Sequence, residues 1–121
     1  MYIARMKYDL KERTCEFGKN IIRFVKQVPE NTITRPLILQ IMRSGTSIGA
    51  NYCEAINSGS KKDFMHKICI VRKEAQETYH WLIMLETATP EFSIIIKPLL
   101  QESHELILIF NSIFHSRKSF N

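Results

Sequence analysis

Apolar residues return along the chain at steps of three and four, the spacing that keeps one face of a helix turned inward at roughly 100° per residue. In the first segment Leu10, Phe17, Ile21, Phe24 and Val28 share such a face, and Lys19, Arg23 and Lys26 fall well away from it. A second stripe, Ile38, Ile41, Gly45, Ile48, Tyr52 and Ala55, predicts a helix from about residue 35 to 57, with Thr34 as its N-cap and Pro36 in its first turn. After the short turn Asn57-Ser58-Gly59, the run Ser60-Lys61-Lys62-Asp63 reads as a variant capping box. Phe64, Ile68, Val71, Ala75, Thr78, Leu82 and Leu85 then carry a third helix antiparallel to the second. Beyond Thr89-Pro90, a fourth stripe of Phe92, Ile95, Leu99, Leu106, Ile109 and Ile113 is expected, with Pro98 either kinking that helix or marking its start. Four helices joined by short loops predict an all-α, up-down four-helix bundle.

Two features exceed what such a core needs. Met65, Cys69 and Ile83 lie off the stripe of the third helix, and Ile94, Ile96, Leu100, Ile107, Leu108, Phe110 and Phe114 spread around the fourth. A surplus of this kind points to self-association, the alternative being a broad core stripe with scattered surface apolars. Ser44, Gly45, Ser47, Gly49 and Ala50 put two helix-weakening glycines in one turn, which suggests close backbone approach between helices.

Composition narrows the function classes without naming one. The 121 residues suit a single domain over 1–121, and Gly and Pro together number only eight. No signal core and no apolar run long enough to span a membrane is visible, so a soluble, cytoplasmic protein without membrane association is expected. Cys15, Cys53 and Cys69 form no Cys-x-x-Cys pair and read as reduced thiols, with no cofactor implied. The net charge of +5 is unevenly placed: residues 1–26 carry +4, residues 35–73 carry +5 and residues 74–121 carry −3. Basic residues gathered on the first helix and the following hairpin have the electrostatic footprint of a polyanion binder, set against a merely solvated basic face.

Catalytic and metal patterns are weak. Glu77-x-x-His80 has the spacing of a carboxylate-bridged di-iron ligand pair, but such a site needs the motif twice and one copy is present. No phosphate-cradling loop, nucleophile elbow or paired-acid motif occurs. Neither a catalytic residue nor a metal ligand is therefore assigned.

The segment from Leu39 through Arg43, Ser44 and Gly45 to Ser47-Ile48-Gly49-Ala50-Asn51-Tyr52-Cys53-Glu54, with Gly59-Ser60 and Phe64 after it and Tyr79-His80 in the third helix, resembles a known family. It is similar to the bacterial four-helix bundle proteins encoded in intervening sequences of large-subunit ribosomal RNA genes. That family includes the accessory variability determinants of diversity-generating retroelements. The likeness spans nearly the whole chain, departing at Met42, where many members carry a second arginine, and at Gly49, where proline is common. The resemblance implies a homo-oligomer, a pentameric barrel, with a basic surface and no enzymatic activity, and in one branch a scaffold for a reverse transcriptase and its RNA.

The expected function is thus a non-enzymatic oligomeric adaptor that contacts RNA or DNA phosphates with little regard to sequence. Its cations would be Arg5, Lys7, Arg13, Lys19, Arg23 and Lys26 of the N-terminal segment and first helix, and Arg43, Lys61, Lys62, Lys67, Arg72 and Lys73 of the hairpin. The alternative is a protein-interaction module whose basic face meets an acidic protein, and a metal enzyme stands further off.

Overall fold

A computed structural model describes the backbone of residues 2–118 and the side chains of residues 9–116. Those residues form four helices, α1 (Tyr2–Val25), α2 (Thr34–Ile56), α3 (Lys61–Ala88) and α4 (Ser93–Lys118), with a 3-10 turn at Pro90–Phe92 and no strand among them. Successive helices run antiparallel and pack side by side, giving the up-down bundle. The ring closes more loosely between α1 and α4 than between sequence neighbours.

The stripes of α1, α2 and α3 fall where the spacing puts them. Phe17, Ile21 and Phe24 of α1, Ile41, Ile48 and Tyr52 of α2, and Ile68, Val71, Ala75, Leu82 and Leu85 of α3 are all buried. Tyr52 packs against Phe110 of α4 with ring centroids 5.5 Å apart, and burial pushes its phenol up to about 12. A polar layer crosses the α2–α3 seam: Thr78 donates to Ser44 Oγ at 2.8 Å, and Ser44 donates on to the Gln40 carbonyl. Both hydroxyls are buried and partnered, so the layer carries little desolvation penalty.

The glycines of α2 serve close approach. A Cβ on Gly45 would lie 3.0 Å from Ile21 Cγ1, and one on Gly49 would lie 3.3 Å from the Thr14 backbone. At the start of α3, Ser60 Oγ accepts from the Asp63 amide at 3.1 Å, which is the serine half of the expected box.

Two expectations need correction, and the alternatives left at Pro98 are decided. Thr34 is not a cap; it is the first residue of α2, its hydroxyl donating to the Pro29 carbonyl, while Asn31 Oδ1 accepts the amides of Ile33 and Thr34. The buried stripe of α4 is Ile96, Leu99, Ser103, Leu106 and Phe110, so Ile96 and Phe110 belong to the core and Ile95 is 40% exposed. Much of the apparent surplus is thereby absorbed, since Leu100, Ile107 and Phe114 also pack against that core. Ser103, whose hydroxyl donates to the Leu100 carbonyl, is the polar residue in the stripe that hid its phase. Finally, α4 begins before Pro98, which lies inside it at an exposed position, so the helix goes without the amide bond that a residue there would give to the preceding turn.

Candidate nucleic-acid interface

The cations expected to bind phosphate fall into two groups once the helices are packed. Arg13 is bound in a fork: its Nε and Nη2 donate to both Glu102 oxygens at 2.7 and 2.8 Å, and Nη2 also reaches Glu105 at 3.1 Å. Those carboxylates hold its guanidinium far above the usual arginine range. Glu105 is held below the carboxylate range, first by the Gln101 amide and then by Arg13. Arg43 is engaged in the same way across α2–α3, bonding Glu77 and reaching Glu74 at 3.2 Å, and the Glu77 hydrogen bond is the main cause of its raised value. Arg23 bonds Glu16 and Asn20 on its own helix, and Lys67 bonds Glu54 at 3.1 Å. Arg72 lies over the Phe114 ring, 4.0 Å from its centroid.

Lys19, Lys26, Lys61, Lys62 and Lys73 are exposed, and none has a carboxylate within ion-pair distance among the described residues. The side chains of Arg5 and Lys7 lie outside the described residues. Lys19 stands on α1 and Lys26 in the turn just past its end, seven residues on, whereas Lys61 and Lys62 occupy the first turn of α3. Two lysines at a helix N-terminus oppose the macrodipole, so they do not serve the helix; with the dipole they concentrate positive potential at the α2–α3 turn. The structure does not gather the two groups into one pocket. The open depression beside α1 holds Asp9, Glu12, Glu16 and Glu102 among its lysines and arginine, a mixed lining that does not select anions.

The di-iron spacing has a structural use instead: Glu77 pairs with Arg43, and His80 meets Trp81 edge-on at 4.9 Å. Among the described residues no group of three or more His, Cys, Asp or Glu is placed to hold a metal ion. No described helix is long and apolar enough to cross a membrane. Counting charge by segment also concealed Lys97 and three of the four histidines, His80, His104 and His115, because residues 74–121 are net acidic while their carboxylates Glu74, Glu77, Glu102 and Glu105 are spent on Arg43 and Arg13.

Residues 6–112 match the family model described as 23S rRNA-intervening sequence protein. The chain is also similar to a crystal structure of a protein of unknown function from the S23 ribosomal protein family of Bacteroides thetaiotaomicron. The two share 33% identity and a TM-score of 0.76, over 86% of this chain and 96% of that one. No curated protein matches the chain.

Proposed function

We propose a function from one premise: the chain belongs to the 23S rRNA-intervening sequence protein family. It is a non-enzymatic helical adaptor that acts in the cytoplasm and binds RNA or DNA through the phosphate backbone. The observation that carries this reading is the set of five exposed, unpaired lysines, Lys19, Lys26, Lys61, Lys62 and Lys73, left over after the other described cations of the expected interface are neutralised or stacked. Point charges on flexible stems suit phosphate contacts that fix position without reading bases.

The adaptor works as a homo-oligomer, five copies being the number the resemblance implies. Ile22, Ile33, Leu39, Met84, Ile94 and Ile95, six of the seven exposed large apolar residues among the described ones, belong to the end of the bundle that holds the α1–α2 and α3–α4 connections. Repetition in one assembly turns a modest basic face into an avid one. A reverse transcriptase with its template RNA, or an rRNA intervening sequence, is the partner each branch of the family offers.

Filter binding of a labelled RNA across a salt series tests the reading. Affinity should fall steeply with salt, by about 0.7 to 0.9 counterion for each neutralised phosphate. Lys61→Glu with Lys62→Glu, and separately Lys19→Glu with Lys26→Glu, should weaken binding to all sequences alike. Undetectable binding at low salt, or binding unchanged in both pairs, refutes it in favour of an acidic protein partner.

A further inference from the structure

A second cationic surface runs along the outer side of α3 and α4, and the reading above uses only its Lys62 and Lys73. On α3, Lys62, His66, Cys69, Lys73, Gln76 and His80 follow one another at steps of four and three, within about 80° of one another and opposite the buried stripe of Ile68, Val71, Ala75 and Leu82. On α4, Lys97, His104 and His115 share a side facing away from Ile96, Leu99, Leu106 and Phe110. Tyr79 meets His104 across the seam at 6.1 Å and Arg72 meets Phe114 nearby, so the two stripes are neighbours. All three lysines and all four histidines of the chain on these stripes are exposed.

Four carboxylates of α3 and α4 are engaged by arginines of the other two helices. Glu74 and Glu77 go to Arg43 of α2, and Glu102 and Glu105 to Arg13 of α1. The charged groups closest to the histidines can each be named. His66 follows Asp63 by one turn and sits between Lys62 and Lys73; His80 follows Glu77, which Arg43 holds. His104 faces the Tyr79 ring from α3 and feels Glu105 on its own helix, and His115 adjoins Phe114, under the Arg72 guanidinium. Glu86 on α3 is half-buried. Histidine is the side chain whose charge changes between pH 5 and 8, and four of them stand on this face beside three lysines.

We propose that the outer α3–α4 face is a pH-responsive binding surface for the phosphate backbone of single-stranded RNA, held by Lys62, Lys73 and Lys97 and strengthened as His66, His80, His104 and His115 take up protons. The inference rests on the nucleic-acid reading for its ligand and shares Lys62 and Lys73 with it; Lys97 and the histidines are new. An extended polyanion is the occupant because the cations lie in two parallel rows along helices of 28 and 26 residues, and the depression that Lys97 and His104 line with Tyr79, Pro98 and Gln101 is open to solvent and covers only one end of them.

Fluorescence anisotropy of a labelled oligouridylate, at fixed ionic strength and at pH 8 and pH 6, tests this on the full chain. The phosphodiester keeps one charge over that range and uracil does not titrate, so any pH response belongs to the protein. Affinity should rise by about tenfold or more on going to pH 6. The exposed replacements H66Q, H80Q, H104Q and H115Q, combined, should abolish the rise while keeping the helical circular dichroism signal. K73Q with K97Q should lower affinity at both pH values. A wild-type affinity that does not rise, or a quadruple variant that still responds, overturns the inference; binding at pH 8 that Lys61→Glu with Lys62→Glu removes would then leave the reading above standing. Equal, equally pH-dependent binding of a poly-glutamate peptide overturns RNA as the ligand.

Discussion

Alanine at three glycines should change stability in opposite directions, according to what each new methyl meets. Replacing glycine by alanine inside a helix is worth about 1 kcal/mol in propensity at every site. At Gly18 the added Cβ would lie 3.6 Å from Thr46 Cα and 3.7 Å from the Gly45 carbonyl oxygen, ordinary van der Waals contact. Gly18→Ala should therefore keep most of that gain. At Gly45 the same atom would lie 3.0 Å from Cγ1 and 3.3 Å from Cγ2 of Ile21, a fully buried side chain with nowhere to go. At Gly49 it would lie 3.3 Å from the Thr14 carbonyl carbon and oxygen, so α1 itself must shift. Overpacking of this kind costs about 1–3 kcal/mol, which exceeds the propensity gain. The expected result is Gly18→Ala stabilised by up to about 1 kcal/mol, and Gly45→Ala and Gly49→Ala destabilised by about 1 kcal/mol. Urea unfolding at one fixed protein concentration measures all three, because association would make the midpoint concentration-dependent. If Gly18→Ala lost as much as the other two, or if Gly49→Ala gained, close helix approach would not be the reason for these residues.

Removing either hydroxyl of the buried α2–α3 layer, in Ser44→Ala or Thr78→Val, should cost about 1 kcal/mol, and a double-mutant cycle should show the two losses to be less than additive. Arg13→Met should destabilise by about 1 kcal/mol by freeing Glu102 and Glu105 from their shared partner. Because the folded Glu105 carboxyl is held below its ordinary 4.5, its contribution is present above that value and is lost as pH falls through the folded one. Acid titration of unfolding should accordingly be flatter below pH 4.5 in Arg13→Met than in the wild type. Phe110→Asp should unfold the chain, since Phe110 is fully buried, whereas Ile94→Lys, at a position 84% exposed within one chain, should keep the helical signal and reduce the mass seen by light scattering. A wild-type monomer at micromolar concentration would refute the assembly.

Sequence periodicity reached the bundle because three of its stripes are unbroken runs of apolar or small residues. Phe17, Ile21 and Phe24 leave no other face to bury, and Ile68 through Leu85 keep a strict alternation of steps. It failed on α4, where isoleucine and leucine occur on nearly every side and the position that fixes the phase is a serine, Ser103, satisfied by its own helix. It failed at Thr34 because Asn31, three residues earlier, accepts the amides of Ile33 and Thr34, which leaves Thr34 inside the first turn of α2. The interface was legible as residue type but not as availability. Arg13 and Arg43 look like phosphate ligands until tertiary packing sets Glu102 and Glu77, distant in sequence, against them. Charge read along the chain and charge read across a face are different quantities, and only the second attracts a ligand.

The looser closure between α1 and α4 has a kinetic consequence. Nearly all packing joins helices adjacent in sequence, so each hairpin can form with only short loops to close. Such local connectivity makes for fast folding, and contacts as far apart as Arg13 and Glu102, 89 residues distant, come last because their loop-closure entropy is largest. The same seam should open first under native conditions. Amide hydrogen exchange should report α1 as a separately opening unit, released while the α2–α3–α4 array stays protected.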